Sequence, residues 1–219
     1  MSARPLVVLC ANRHGLHVEN RWRSLRMWLV WYDDPALVDA EGAERVYFAK
    51  GTKWELIRGI ADDILAADPA PPFVFFPDDD LRLSAEDVDT FFACMASSGA
   101  DMGQPSLLPI NASHPDLVQI PNGPPVRPAG LVEIQMPCVH RRLLPRFLDF
   151  VRACARYRSG WGYDHVWSAW PGVRKVVVDA VAAEHTRPVD IRDPDSFYRR
   201  FDIDPVAECE FLLEEFRGK

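Results

Sequence analysis

What most constrains this chain is a series of short apolar runs with no helical period. PLVVLCA (5–11) and LRMWLVWY (25–32) are almost wholly apolar, and the second stops at Asp-Asp-Pro. Runs of that length, lacking a 3.6-residue repeat, read as strands buried on both faces, which need covering layers above and below. ERVYFAK (44–50) and FVFF (73–76) continue the series, and RKVVVDAVAAEH (174–185) is a late strand with a polar end.

Helical segments lie between these runs. GTKWELIRGIADDILAADP (51–69) begins with glycine, stops before proline and places Ile57, Ile60 and Ile64 on one face, which predicts an amphipathic helix. Ser84 and Asp87 form an S-x-x-D start for a helix whose Val88, Phe91, Phe92 and Met95 repeat at i, i+3, i+4 and i+7. DPVAECEFLLEEF (204–216) reads as a closing helix with Val206, Cys209, Leu213 and Phe216 on one stripe. PNGPPVRPAG (121–130) and RSGWGYD (158–164) read as loops, and LVEIQMP (131–137) as a further strand. Strands alternating with helices predict an α/β fold over residues 1–219, a single domain with a mixed, mostly parallel sheet flanked by helices. Ligands of such sheets sit beyond the carboxyl ends of the strands.

Composition narrows the partners. At 219 residues and 48% hydrophobic, the chain can bury a proper core. A formal net charge of −7 offers no basic stripe for a phosphate backbone, so a small-molecule ligand is expected rather than nucleic acid. The five cysteines, Cys10, Cys94, Cys138, Cys154 and Cys209, are scattered and never spaced as CxxC, a pattern of buried thiols in a reducing compartment. The N-terminal apolar stretch is short for a signal peptide, and no run approaches about 18 apolar residues, so a cytoplasmic protein without stable membrane insertion is expected.

Three places carry chemistry. Asp78, Asp79 and Asp80 follow a buried strand directly, and three adjacent carboxylates repel unless something positive lies between them. They read either as a solvated turn favoured by the following helix dipole or as oxygen ligands for Mn2+ or Mg2+, shared with substrate phosphates. In SGWGYDHVW, Gly160 and Gly162 permit a tight turn around Trp161, which can stack on a sugar face. Asp164 at its mouth either caps the next helix or takes a proton from an attacking hydroxyl. His185 ends the last strand, where imidazole can complete a metal shell or serve structure alone.

Taken in order, KGTKWELI, FVFFPDDDLRLS, GQPSLLP, LVEIQMPCVHRRLL, SGWGYDHVW and VVVDAVAAEHTRP resemble an uncharacterised family of domains from bacteria and plants, itself similar to glycosyltransferases of the GT-A fold. The likeness runs from about Leu6 to Pro188 and is loose over the first 40 residues. It implies a metal-dependent, inverting glycosyltransferase with a nucleoside diphosphate sugar, UDP-sugar favoured, as donor and a glycan or other hydroxyl as acceptor. On this resemblance Asp78, Asp80 and His185 hold the metal, and Asp164 is the base. Lys50, Lys53, Trp54, Asp78, Asp79, Gln104, Trp161 and Gly162 face the nucleotide or its sugar, and Glu133 lies toward the acceptor. The segment departs from the better-known enzymes in having a single Asp164, between Tyr163 and His165, where they have paired Glu-Asp.

Two other readings compete. A metal-dependent hydrolase would use His14, His17, Asp79 and His185 around one or two ions. A non-catalytic carbohydrate-binding module would stack sugars on the seven tryptophans and hold calcium in the acidic turn.

Overall fold

The computed structural model describes residues 3–112, 114–187 and 196–217. In chain order its elements are β1 (Leu6–Ala11), β2 (Met27–Trp31), β3 (Ala43–Phe48), α1 (Lys53–Gly59), α2 (Ala61–Leu65), β4 (Phe73–Phe75), β5 (Leu81–Arg82) and α3 (Ala85–Ser98). They continue as β6 (Met102–Leu107), β7 (Arg127–Pro128), β8 (Cys138–His140), α4 (Leu144–Ala153), α5 (Tyr163–Ser168), β9 (Lys175–His185), α6 (Phe197–Arg200) and α7 (Pro205–Glu215). Among the described residues the strands join in the order β3-β2-β1-β4-β8-β6-β9-β5, with β7 added on β9. β1, β2, β3 and β4 pair in parallel, as do β6 and β9, while β8 runs antiparallel between β4 and β6.

The runs without a period are the sheet's centre. Side chains alternate along β1: Leu6, Val8 and Cys10 belong to the core layer that holds Trp54, Ile57, Phe147 and Trp167, whereas Val7, Leu9 and Ala11 belong to the layer with Phe91 and Met95 on the other face. Both faces are therefore apolar, one under α1, α2, α4, α5 and α7, the other under α3. Each buried Leu or Val contributes about 1.5–3 kcal/mol. The capping box of α3 forms as its sequence predicts, with Ser84 and Asp87 exchanging hydrogen bonds.

Three local expectations are corrected. The 51–69 helix is divided: Ile60, at φ −116° and ψ 13°, ends α1 and leads into α2, although Ile57, Ile60 and Ile64 stay buried together. Gly59, a poor helix former, sits at that break. Residues 131–137 are not a strand; they run irregularly into β8, with the Lys53 ammonium on the carbonyls at 134 and 135 and, among the described residues, only the Asp78 and Phe76 amides reaching them from the β4 side, at 135 and 137. In α7 the buried residues are Pro205 and Leu212, while Val206 of the expected stripe is exposed. Pro188, the end of the sequence resemblance, lies outside the described residues.

The long β9 carries a bulge. Pro105 faces Val178 and Ser106 faces Ala182, so three residues of β9 intervene without partners in β6. Asp179 in that bulge is held by Arg127 Nε at 2.7 Å. The last turn of β9 then reaches β5, with Leu81 opposite His185. Among the described residues no helix is long and apolar enough to cross a membrane.

Candidate active site

The parallel strands end on one edge, and a cavity of about 580 Å³ opens there, a size suited to a small-molecule ligand. β1 delivers Asn12, β2 delivers Tyr32, β4 delivers Asp78 to Asp80, and β9 delivers His185. Opposite them stand the turn with Glu133, the Trp161–Asp164 segment and α6.

The acidic turn divides its three side chains. Asp80 Oδ2 lies 3.2 Å from His185 Nε2, held there because Thr186 donates to the Asp80 carbonyl through both its amide and its hydroxyl. Asp78 takes the Lys53 ammonium at 2.7 Å, and its amide donates to the Gln135 carbonyl. Asp79 turns toward β1 and β2: its Oδ2 accepts from the Asn12 amide and the Tyr32 hydroxyl, and its Oδ1 from Arg187. Burial raises the Asp78 and Asp79 carboxyls, the latter to about 6, against the opposing pull of Lys53 and Arg187. Burial lowers His185, but the Asp80 hydrogen bond and charge outweigh it and leave the imidazole raised.

One ligand atom from each of Asp78, Asp80 and His185 lies within 4.8 Å of the others. Among the described residues Asp80 Oδ1 and His185 Nδ1 are buried without a hydrogen-bond partner. Two carboxylate oxygens and an imidazole nitrogen are a donor set that divalent manganese accepts, and magnesium tolerates through its oxygens, so the residues fit the ion.

The glycine-bounded turn is built by close packing. Gly160 has φ +78°, and a Cβ there would stand 2.0 Å from Trp54 Cδ1. Gly162, at φ +87°, begins α5 and backs onto Cys209. Trp161 donates from its ring to the Tyr198 hydroxyl at 3.0 Å and stands edge-on to that ring. Asp164 is 7% exposed and does not cap α5; Gly162 is the capping position. Burial raises its carboxyl, opposed by the neighbouring His165 charge and amide.

Other expected residues have different places. Trp54 is a core residue that packs on Phe76, Phe147, Tyr163 and Trp167 and reaches the cavity only at its edge. Lys53 lines the cavity, but its three donors go to Asp78, Ile134 and Gln135. Lys50 donates to the Tyr32 carbonyl, and Gln104, fully buried, accepts from the Glu133 amide at 2.6 Å; among the described residues neither lines the cavity.

The rival constellations are not assembled. His14 is exposed, and buried His17 is spent on the Asp39 carbonyl, so neither joins Asp79 and His185. Trp22, Trp28, Trp31, Trp54 and Trp167 are at most 1% exposed, which leaves Trp161, in the cavity lining, and half-buried Trp170 as the tryptophans with exposed ring surface.

The cavity also holds Asn12, Tyr32, His114, Glu133, Arg187 and Tyr198, of which only Glu133 is a site residue on the sequence resemblance. Arg187 lies two residues past the end of β9 and enters the cavity through its contact with Asp79.

No protein-family model matches the sequence, and no curated protein sequence does. Solved structures do match. The S. aureus TarS 1–349 crystal structure is similar at TM-score 0.55 and 14% identity over 99% of this chain and 72% of that one. GalNAc-T7 with UDP, GalNAc and Mn2+ is similar at TM-score 0.61 and 9% identity over 98% of this chain and 49% of that one. A TarS 1–349 structure in complex with UDP aligns at TM-score 0.51. These are GT-A glycosyltransferases, and the chain, a mixed and mostly parallel sheet between layers of helices, has their fold.

Proposed function

We propose that this chain is a metal-dependent glycosyltransferase that moves a sugar from a nucleoside diphosphate sugar, UDP-sugar favoured, onto a hydroxyl acceptor with inversion. The observation that carries this reading is the convergence of Asp78, Asp80 and His185 in the cavity that Asp164 also lines. TarS 1–349 with UDP and GalNAc-T7 with UDP, GalNAc and Mn2+ share the fold, which favours UDP and manganese.

In this reading Asp79, Asn12, Tyr32 and Arg187 form the nucleotide end. Asp79 binds Asn12, Tyr32 and Arg187 to one another and so fixes the wall against which a ribose or base rests. Lys53 orients Asp78 and the 134–135 turn together, so that the metal ligands and the sugar wall move as one piece. A divalent ion bound by Asp78, Asp80 and His185 would supply the positive charge that a departing diphosphate needs. Asp164 accepts the acceptor hydroxyl's proton as that oxygen bonds to the anomeric carbon and the bond to the phosphate oxygen breaks, its electron pair staying on the diphosphate. A carboxyl raised by burial is a stronger base than an exposed one. Trp161, fixed by Tyr198, keeps water from the same carbon.

The acceptor is a glycan or another hydroxyl compound rather than nucleic acid, given the net charge of −7. We also read residues 1–219 as one catalytic unit and place it in the cytoplasm, where its five free cysteines stay reduced. Isothermal titration of the chain with UDP or GDP, with and without MnCl2, tests the donor reading: metal-dependent binding of one nucleotide supports it, and no binding of either removes it.

A further inference from the structure

Glu133 is 2% exposed and lines the cavity, yet among the described residues its Oε2 has no hydrogen-bond partner. Leaving a buried carboxylate oxygen unpaired is costly, so the atom is built for a group that arrives. The side chain is also held in place. Fully buried Gln104 fixes its backbone amide at 2.6 Å, the neighbouring carbonyls at 134 and 135 are fixed by Lys53, and His114 Nε2 stands 3.7 Å from Oε1. Glu133 lies within electrostatic range of Asp164 and also of His185 and Asp78, and shares one cavity with all three.

We propose that Glu133 is the recognition residue for a ring hydroxyl of the transferred sugar, and that the donor sugar is neutral rather than a uronic acid. The inference rests on the glycosyltransferase reading and deepens it. A sugar whose anomeric carbon lies between the metal-held diphosphate and Asp164 occupies the cavity into which Glu133 also opens. Burial, reinforced by the Asp164 charge, pushes this carboxyl up to about 7, so it can both accept from and donate to a hydroxyl. A sugar carboxylate meets the opposite situation. The two carboxyl groups Glu133 and Asp164 face it, and the permanent cations of the cavity are engaged elsewhere, Lys53 on Asp78 and Arg187 on Asp79, while the imidazoles of His185 and His114 stand against Asp80 and Glu133. The resemblance implies a place for Glu133 toward the acceptor, and the irregular backbone of 131–137 sets it in the cavity that Asp164 also lines.

The test measures Mn2+-supported binding of UDP, UDP-glucose, UDP-galactose and UDP-glucuronate to the wild type, to Glu133→Ala and to Glu133→Gln. Expected is wild-type preference for the neutral donors over UDP-glucuronate. Glu133→Ala should bind UDP as the wild type does but lose about tenfold in affinity for the preferred neutral donor, the scale of one charge-assisted hydrogen bond. Glu133→Gln, which keeps the shape and a hydrogen-bonding end, should recover part of that loss and of the turnover. Unchanged donor affinity in both variants, or wild-type preference for UDP-glucuronate, overturns the inference while leaving the transferase reading standing. Turnover lost in Glu133→Gln with donor affinity intact makes Glu133 a proton acceptor and also overturns it. If the wild type binds none of the four compounds, the underlying reading fails first.

Discussion

His185 Nε2 lies 3.2 Å from Asp80 Oδ2, and the contact is made by backbone architecture: the end of β9 pairs with β5 in a register that sets His185 against Leu81, one residue beyond Asp80. The candidate metal group is thus assembled by a strand pairing about 100 residues apart in sequence.

Removing either member should therefore weaken metal binding without unfolding the chain. Asp80→Asn and His185→Ala should each weaken Mn2+ by at least about tenfold. Both variants should stay folded, since the apolar core of the sheet is untouched, with the urea midpoint of His185→Ala lowered because the buried Asp80 carboxylate loses its partner. A titration followed by calorimetry gives the first number and a denaturation curve the second; unchanged Mn2+ affinity in both variants contradicts the ligand assignment.

Asp164→Asn should separate binding from turnover. An amide cannot take the acceptor's proton, so the rate should fall by about 10²–10⁴ while affinity for nucleotide and metal is retained. Steady-state release of the nucleoside diphosphate measures the rate. A variant with normal turnover assigns the base elsewhere in the cavity.

The raised carboxyl of Glu133 carries a pH dependence. Its pKa in the folded chain is about 7 against an ordinary 4.5, so between those values the folded state holds a proton that the unfolded chain has released. Stability from this group is fully present below about 4.5 and is lost as the pH rises through about 7, a loss of up to about 3 kcal/mol without ligand. Glu133→Gln should flatten that decline and be the more stable protein at pH 8. Urea unfolding of both at pH 5 and pH 8 checks this, and parallel slopes contradict it.

Gly160→Ala should damage the site through the core. The left-handed φ and a Cβ 2.0 Å from Trp54 Cδ1 cannot both be accommodated without moving the indole that underlies Phe76, Phe147 and Trp167. The cost should be about 1–3 kcal/mol or more in urea unfolding, with a changed Trp fluorescence spectrum.

Much of this layout is legible in the sequence because burial on both faces leaves a direct trace: Leu6–Ala11 and Met27–Trp31 are apolar without a period since a layer covers each side. The S-x-x-D start of Ala85–Ser98 is equally local. Residues 131–137 mislead because Val132 and Met136 are buried like strand residues, while Lys53 and Gln104, far away in sequence, hold their neighbours' polar groups. Asp78, Asp80 and His185 are recognisable as chemistry, but what joins them is the β5–β9 register. Asn12, Tyr32 and Tyr198 give no signal of their own. Their site role comes from hydrogen bonds to Asp79 and Trp161 that only the folded chain forms.

The most direct measurement is calorimetric titration of the purified chain with UDP in the presence and absence of Mn2+, repeated with Asp80→Asn. Saturable UDP binding that requires Mn2+ and disappears in the variant is the expected result; UDP binding indifferent to Mn2+ and to Asp80, or none in the wild type, contradicts a metal-dependent nucleotide-sugar site.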